Sequence, residues 1–271
     1  MGYCRRLPAA PLNALIETLW DWDMPSQAHH YERILPSLGA GLIINLHEDE
    51  TRVYSDDAKR SCVRMRGAVI GGPALRSQII DTAEQIRVMG VVFRPGGAHA
   101  LCGEDHRVLV AGDIHLDDMF GASAYDLRQR LLDTAAPERR LDLLEQWLHR
   151  QLRLPALNPV VNHALAVLQR EPQWTRIAPL VRDSGLSEYR FGRLFRQQVG
   201  MGPKQFARLT RFRAVVDQVQ RQQSVDWSRV AADGGYGDQA HLTHEFRAFS
   251  GMTPTAYVAS QRVYANHIAL D

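Results

Sequence analysis

The spacing of hydrophobic residues changes about halfway along the chain. Residues 30–94 contain short apolar runs rich in β-branched residues, such as GLIINL, CVRMRGAVI and IRVMGVVFR, separated by Gly, Pro and Asp. Such runs predict many short strands in a barrel or sandwich. From Asn162 onward, apolar residues recur every three or four positions, which predicts helices nearly throughout. The predicted class is therefore α+β, with a strand-rich N-terminal half and an all-α C-terminal half.

Two helices are predicted between the halves, over residues 117–134 and 137–152. One face of the second carries Leu141, Leu144, Leu148 and Leu152 at helical spacing. This leucine stripe is a candidate dimerisation surface. The segment LRLPALNP at 152–159 holds two prolines and is predicted to link two domains, residues 1–153 and residues 160–262.

The C-terminal half contains one motif twice, 51 residues apart. LFRQQVGMGPKQF begins at Leu194 and EFRAFSGMTPTAY begins at Glu245, and their Phe, Arg, Gly, Met and Pro keep register. Each copy follows a helical segment and a Gly-containing turn, which predicts a helix-turn-helix unit whose second helix enters the DNA major groove. Ser187 and Thr175 are the predicted N-caps of the two helices in the first unit.

Each second helix has an apolar and a polar face when residues are placed 100° apart. In the first copy the outward positions are Tyr189, Gly192, Arg193 and Arg196, opposite Phe191, Leu194, Phe195 and Val199. In the second copy they are Ala240, Thr243, His244 and Arg247, opposite Leu242, Phe246 and Phe249. An arginine near a helix start suits guanine, whose O6 and N7 match the guanidinium. A joining helix of about 17–20 residues spans about 26–30 Å, close to the ~34 Å between successive major-groove faces.

Charge supports a polyanionic partner for the helical half. Residues 156–271 hold 14 Lys and Arg against 9 Asp and Glu, whereas residues 1–155 hold 18 against 21. Basic helices with this excess favour nucleic acid. An alternative is that they bind a protein or an RNA, in which case no duplex sequence would be selected.

These residues carry a family resemblance. The segments GLSEYRFGRLFRQQVGMGPKQFARLTRFR and AADGGYGDQAHLTHEFRAFSGMTPTAY resemble the DNA-binding domain of the AraC/XylS family of bacterial transcription regulators, over about residues 160–260. The resemblance implies base contacts from Tyr189, Gly192 and Arg193 in the first recognition helix, and from Gln239, Ala240, Thr243 and His244 in the second. Arg190, beside the first group, is predicted to contact bases as well. Phosphate contacts are predicted for Arg196, Lys204, Arg208 and Arg247.

The N-terminal half resembles the sensing domains of this family, a cupin-like β-barrel followed by paired helices. The resemblance rests on LPAAPLNALIETLWDWD, RILPSLGAGLIINL and VVFRPGGA. It implies a small-molecule effector in the barrel, dimerisation through the helices, and promoter DNA as the partner, with RNA polymerase as a further candidate. The candidate effector pocket consists of Trp20, Trp22, Tyr31 and Arg94; the alternative is that these are core aromatic residues and a surface arginine.

A metal site and an enzyme are the remaining alternatives. His99, Cys102 and His106 would share one helix face and carry ligands that suit zinc, but Gly103 interrupts the run and no fourth ligand is evident. A metal-dependent cupin-like enzyme or metal sensor fused to a DNA-binding module is therefore the second hypothesis. No nucleophile, nucleotide-binding or zinc-protease signature occurs, so we expect a regulator without a catalytic site, metal or cofactor.

The expected location is the cytoplasm. Three cysteines without a C-x-x-C pair do not suit a disulfide framework. Pro8, Pro11, Asn13 and Glu17 interrupt the mildly apolar N-terminal stretch that a signal peptide would need. The longest apolar run is far shorter than the ~20 residues that span a bilayer, so no membrane partner is expected.

Overall fold

The N-terminal half forms two antiparallel sheets. The computed structural model describes residues 2–25, 27–54, 61–103, 112–153, 157–220, 222, 225–260, 262–264 (backbone only) and 266–270. In spatial order, the first sheet consists of β1 (Gly2–Arg6), β2 (Ile16–Asp23), β9 (Arg87–Phe93), β4 (Gly41–Asn45), β7 (Ala68–Gly71) and β10 (Ile114–His115). The second consists of β11 (Arg262–Tyr264), β12 (His267–Ala269), β3 (Tyr31–Ile34), β8 (Gln78–Asp81), β5 (Thr51–Tyr54) and β6 (Cys62–Met65).

The predicted α+β class is confirmed, and the structure adds five strands that the sequence pattern did not predict, one of them the short strand β10, which pairs with β7. Strands β1 and β2 pair over the N-terminal segment. Strands β11 and β12 follow the helices of the C-terminal half, and β12 pairs with β3 of the N-terminal half. The C-terminal half is therefore not wholly helical, because its last strands complete a sheet of the other half.

One face of the first sheet packs against the helices between the halves. Leu19, Val91, Leu42 and Ile70 are paired across neighbouring strands and are buried. They share a core with α3 (Ala122–Leu132) and α4 (Pro137–Gln151). The predicted helix over 117–134 is instead two helices, α2 (Leu116–Phe120) and α3, because Gly121 between them has φ +58°.

The leucine stripe of α4 is part of this core. Leu141, Leu144 and Leu148 are fully buried within the chain, and Leu152 packs against the same cluster. The stripe is therefore not a free dimerisation surface, which corrects the prediction. A buried ion pair also holds α4 to β2: Arg140 Nε and Nη2 donate to the two carboxylate oxygens of Asp21 at 2.6 Å each.

The C-terminal half contains seven helices in the described part of the chain, after a predicted linker whose residues 154–156 lie outside it. They are α5 (Pro159–Arg170), α6 (Ile177–Asp183), α7 (Glu188–Val199), α8 (Pro203–Val219), α9 (Trp227–Asp233), α10 (Gln239–Ser250) and α11 (Pro254–Ala259). A short helix in the N-terminal half, α1 (His99–Cys102), completes the α-helices of the described residues. Helices α6 and α7 form the first helix-turn-helix unit, and α9 and α10 form the second.

Candidate nucleic-acid interface

The repeated motif encodes how each recognition helix ends. Helix α7 ends at Gly200, with φ +90°, and α10 ends at Gly251, with φ +76°. A side chain in this left-handed region costs roughly 1–2 kcal/mol, so glycine is favoured at both helix ends. Pro203 and Pro254 then stand at the first position of the next helix, where their fixed φ fits and no donor is lost.

Helix α7 presents the polar face that the sequence predicts. Ser187 caps it as expected, because its Oγ accepts a hydrogen bond from Arg190 N at 3.3 Å. Phe191, Phe195 and Val199 are buried, whereas Tyr189 is 77% exposed. The apolar face therefore fixes the helix on its core while Tyr189 and its neighbours face solvent.

Thr175 does not cap α6, contrary to the prediction. The N-cap is Arg176, which makes no side-chain capping bond. The Thr175 hydroxyl instead donates to the carbonyl of Glu171 at 2.7 Å. Its side chain therefore closes the turn that follows α5, which a local sequence pattern does not distinguish from a cap.

Helix α10 is capped by Asp238, whose Oδ1 accepts from His241 N at 2.7 Å. Leu242, Phe246 and Phe249 are buried as predicted. The opposite face forms one depression of about 560 Å³ lined by Gln239, Ala240, Thr243, His244 and Arg247. Four of these five residues are predicted to contact bases, and the fifth is predicted to contact phosphate.

The predicted base-contacting residues all have some surface exposure. Tyr189, Arg190, Arg193, Gln239, Ala240 and His244 are exposed, and Gly192 and Thr243 are partly exposed. Gly192 and Ala240 bring no hydrogen-bonding side chain. The Thr243 hydroxyl donates to Gln239 O at 2.8 Å, so towards a base this hydroxyl can only accept. These assignments remain predictions.

Helix α8 joins the two units and gives them their spacing. Its 17 residues correspond to about 26 Å at 1.5 Å per residue. Buried residues along its length, among them Phe206, Phe212 and Val219, belong to the same core as α7 and α10. The two recognition helices are therefore built on one hydrophobic core rather than on independent domains.

An ion pair that the sequence analysis missed fastens α10 to α8. Arg208 Nε lies 3.0 Å from Glu245 Oε2, and Nη2 also donates to Glu245 Oε1. Glu245 is 5% exposed. Burial acts to raise the pKa of the Glu245 carboxyl, but the bonds and charge of Arg208 hold this pKa below its ordinary value. Arg208 also lies over the ring of Phe249, with Cζ 5.6 Å from its centroid.

The other predicted phosphate-contacting residues are freer than Arg208. Arg196 and Arg247 are exposed. Lys204 Nζ lies 3.5 Å from Glu188 Oε1, and both side chains are largely exposed, so this pair is weak. Arg208 is already engaged by Glu245, which a search for exposed cations along the sequence could not reveal. Phosphate contact remains a prediction for all four residues.

The four candidate effector-pocket residues are spread over three places in the N-terminal half: β2, the second sheet and the position directly after β9. Trp20 and Trp22 share one face of β2, and Trp20 lies against Gly90 of β9, where an added Cβ would be 2.7 Å from the Trp20 ring. Tyr31 lies in the second sheet and packs edge-on against Tyr54, with ring centroids 5.3 Å apart. Arg94 is exposed and donates to Asn13 O at 3.1 Å. The pocket remains a prediction, and Arg94 has the surface position of the alternative interpretation.

The helix that was predicted to carry His99, Cys102 and His106 on one face is only four residues long in the described part of the chain. His99 and Cys102 lie at the two ends of α1, which stops at Gly103 with φ +82°. His106 lies outside the described residues. Burial raises the pKa of the Cys102 thiol to about 12, which disfavours the thiolate that binds metals. Within the described ranges, no group of three or more His, Cys, Asp or Glu side chains is arranged to hold a metal ion.

None of the helices in the described part of the chain has the length and apolar character required to cross a membrane.

Among the solved structures that align with the chain, two illustrate the whole chain and its C-terminal half. ToxT from Vibrio cholerae aligns with a TM-score of 0.49 at 6% identity, covering 96% of this chain and 98% of that one. The C-terminal domain of AraT, a response regulator from Geobacillus stearothermophilus, aligns with a TM-score of 0.37 at 17% identity, covering 41% of this chain and 92% of that one.

Sequence comparisons match both halves of the chain. A domain family of unknown function matches residues 5–114, and a helix-turn-helix domain family matches residues 180–260. A Streptomyces antibioticus protein named as an AraC-like transcription regulator is 32% identical over 123 residues. That match spans 44% of this chain and 38% of the relative. The resemblance to the AraC/XylS family is therefore confirmed, and the C-terminal half of this chain contains a helix-turn-helix domain.

Proposed function

We propose that the protein is a sequence-specific DNA-binding transcription regulator without enzymatic activity. The observation that carries the proposal is the pair of capped recognition helices, α7 and α10, with open polar faces on one core and about 26 Å of joining helix. This length lets one chain place two helices in successive major grooves, as dimeric repressors do with two subunits.

Base recognition is assigned to the exposed side chains near the two helix starts. Arg193 carries a guanidinium that suits guanine, and Gln239 carries an amide that suits adenine. Ser228 Oγ lies 3.5 Å from Gln239 Oε1 and supports the orientation of that amide. Arg196, Lys204 and Arg247 supply positive charge for the phosphate backbone, which gives affinity without sequence information.

The N-terminal half, residues 1–153, is proposed to bind a small-molecule effector and to pair with a second copy of the chain. The aromatic face of β2 that carries Trp20 and Trp22 is the proposed location of the effector. The regulator would act in the cytoplasm on promoter DNA, with RNA polymerase as a further partner. The effector and the dimer rest on the family resemblance, whereas the cytoplasmic location rests on the cysteine pattern and the interrupted N-terminal stretch.

The test is selection of random duplex DNA by the whole chain at two salt concentrations. We expect two short motifs about ten base pairs apart, since that is one helical turn. Arg193→Ala should relax one motif and Gln239→Ala the other, each by roughly 5–150-fold, which corresponds to about 1–3 kcal/mol.

A matched control is Arg170→Ala, which removes an equal charge from an exposed side chain at the end of α5. Both motifs should survive this change. If no motif is enriched and all binding disappears on adding salt, the charge acts only as generic electrostatics and the proposal is wrong. Selective binding of RNA or a protein instead would support the alternative partner.

A further inference from the structure

The C-terminal end of the second recognition helix lies against the N-terminal half. The last carbonyl groups of a helix have no partner within the helix. Here, two of them are bound by Ser77, which precedes β8. Its backbone N donates to Phe249 O at 2.8 Å, and its Oγ donates to Ser250 O at 3.0 Å. A residue of the sensing half therefore completes the end of α10.

Arg33 of β3 reinforces this contact. Its Nη1 donates to Ser250 O at 3.2 Å and to Ser77 Oγ at 3.0 Å, and the residue is 6% exposed. A positive charge at a helix C-terminus is favourable because the helix dipole is negative there. A Cβ at Gly251 would lie 2.5 Å from Nη1, so the arginine can approach only because this position is glycine.

Apolar side chains surround the polar contact. Leu35, directly after β3, and Ile268 of β12 are buried in the same hydrophobic core as Phe246 and Phe249 of α10. Leu38 and Leu75 pack against this core from the N-terminal half. The second helix-turn-helix unit thus shares its core with the second sheet, and a close-packed core transmits a displacement of the sheet to the helix end.

This contact leaves the recognition face open. Gln239 and Ala240, at the other end of α10, and His244, midway along it, remain exposed. The N-terminal half therefore holds the helix without covering the residues proposed to read bases. The contact between the N-terminal half and α10 can therefore position the helix without blocking the residues proposed to bind DNA.

We propose that Arg33 and Ser77 are positioning residues for the second recognition helix, so that the N-terminal sheet sets how α10 enters the major groove. The inference rests on the proposed DNA-binding function. The 12 residues of α10 form a lever of about 18 Å. A tilt of about 2° at the Ser250 end moves the Gln239 end by about 0.6 Å, which reaches the ~0.5 Å tolerance of a preorganised polar site.

The first recognition helix is held differently. The Gln198 side chain, near the end of α7, accepts a hydrogen bond from Asn158 N at 2.9 Å, in the segment before α5. A change at Arg33 or Ser77 is therefore expected to act on one half-site of the DNA and to spare the other. A general loss of folding would affect both.

The experiment compares whole-chain variants on duplexes in which either the first or the second half-site is mutated. The measured quantity is the ratio of Kd values for mutated and intact duplex, which gives discrimination at each half-site. Arg33→Ala and Ser77→Ala should each lower discrimination at the second half-site by at least about fivefold, the lower limit for one base contact. Discrimination at the first half-site should be unchanged.

Arg64→Ala is the control, because Arg64 lies on β6 of the same sheet and pairs only at the surface with Glu50. It should leave both ratios unchanged. Ser77→Ala removes only a hydroxyl, so it tests the inference even if Arg33→Ala does not fold. The inference is wrong if discrimination falls equally at both half-sites, or if a folded Ser77→Ala variant keeps its discrimination at the second half-site. In either case, discrimination by the wild type would still support the proposed function. A wild-type chain without half-site discrimination would refute both.

Discussion

The ion pair between Arg208 and Glu245 gives a test that separates a structural role from a phosphate contact. Arg208→Ala leaves the Glu245 carboxylate buried without its partner. Removing one partner of a fully buried pair costs about 3–5 kcal/mol. Because the Arg208 side chain is 46% exposed, water moderates this cost. We expect a loss of about 2 kcal/mol, plus about 0.5–1 kcal/mol for its contact with the Phe249 ring.

The loss should depend on pH in a defined direction. The pKa of Glu245 is lowered in the folded chain, so the pair stabilises the fold above the ordinary glutamate pKa of about 4.3 and this stability is lost as the pH falls through the lowered value. The difference between Arg208→Ala and the wild type should therefore be largest near pH 7 and shrink in acid.

The assay is urea unfolding of the whole chain, with hydrogen exchange of the α10 amide groups as a local measurement. The double variant Arg208→Leu with Glu245→Leu is the control, because replacing both partners by apolar groups is often nearly neutral. In the first copy, Leu194 already occupies the position equivalent to Glu245. An unchanged unfolding free energy in Arg208→Ala, together with a salt slope of DNA binding lower by about one unit, would refute the structural role and support the phosphate contact.

Three further predictions concern the fold. Burial raises the pKa of Glu84 to about 7. The stability that the neutral Glu84 carboxyl contributes is therefore full below about pH 4.3 and is lost as the pH rises through 7. Between pH 5 and pH 8 the free energy of unfolding should fall by about 3 kcal/mol more in the wild type than in Glu84→Gln, as measured by urea unfolding. Gly200→Ala should cost about 1–2 kcal/mol of stability, because Gly200 has a positive φ. Gly192→Ala should instead stabilise α7 by up to about 1 kcal/mol, because a Cβ at this exposed helical position meets open space. Equal effects of the two variants in thermal unfolding would contradict this difference. Asp21→Ala should cost about 3 kcal/mol, the lower end of the range for breaking a buried pair, because the buried Arg140 keeps the longer contact with the Asp23 carboxylate at 3.4 Å. A loss below about 1 kcal/mol would show that the pair is dispensable.

Patterns that act over one or two helical turns were readable from the sequence. The apolar faces of α7 and α10 follow from a period of 3.6 residues, and Phe195 and Phe246 are buried as predicted. The cap at Ser187 and the helix ends at Gly200 and Gly251 depend only on neighbouring residues. The strands between residues 30 and 94 were readable because their side chains alternate or cluster between turn residues.

Only the tertiary structure shows which residues from distant segments contact each other. From the sequence, Arg208 is predicted to be a cation available for phosphate, but in the structure it forms an ion pair with Glu245, 37 residues away. The leucines of α4 were predicted to support a dimer, but the first sheet covers them. Strand β12 follows a helical domain and finds its partner in β3, over 200 residues earlier. Local spacing specifies which face of an element is apolar, whereas the partner of that face depends on long-range packing, which spacing alone does not encode.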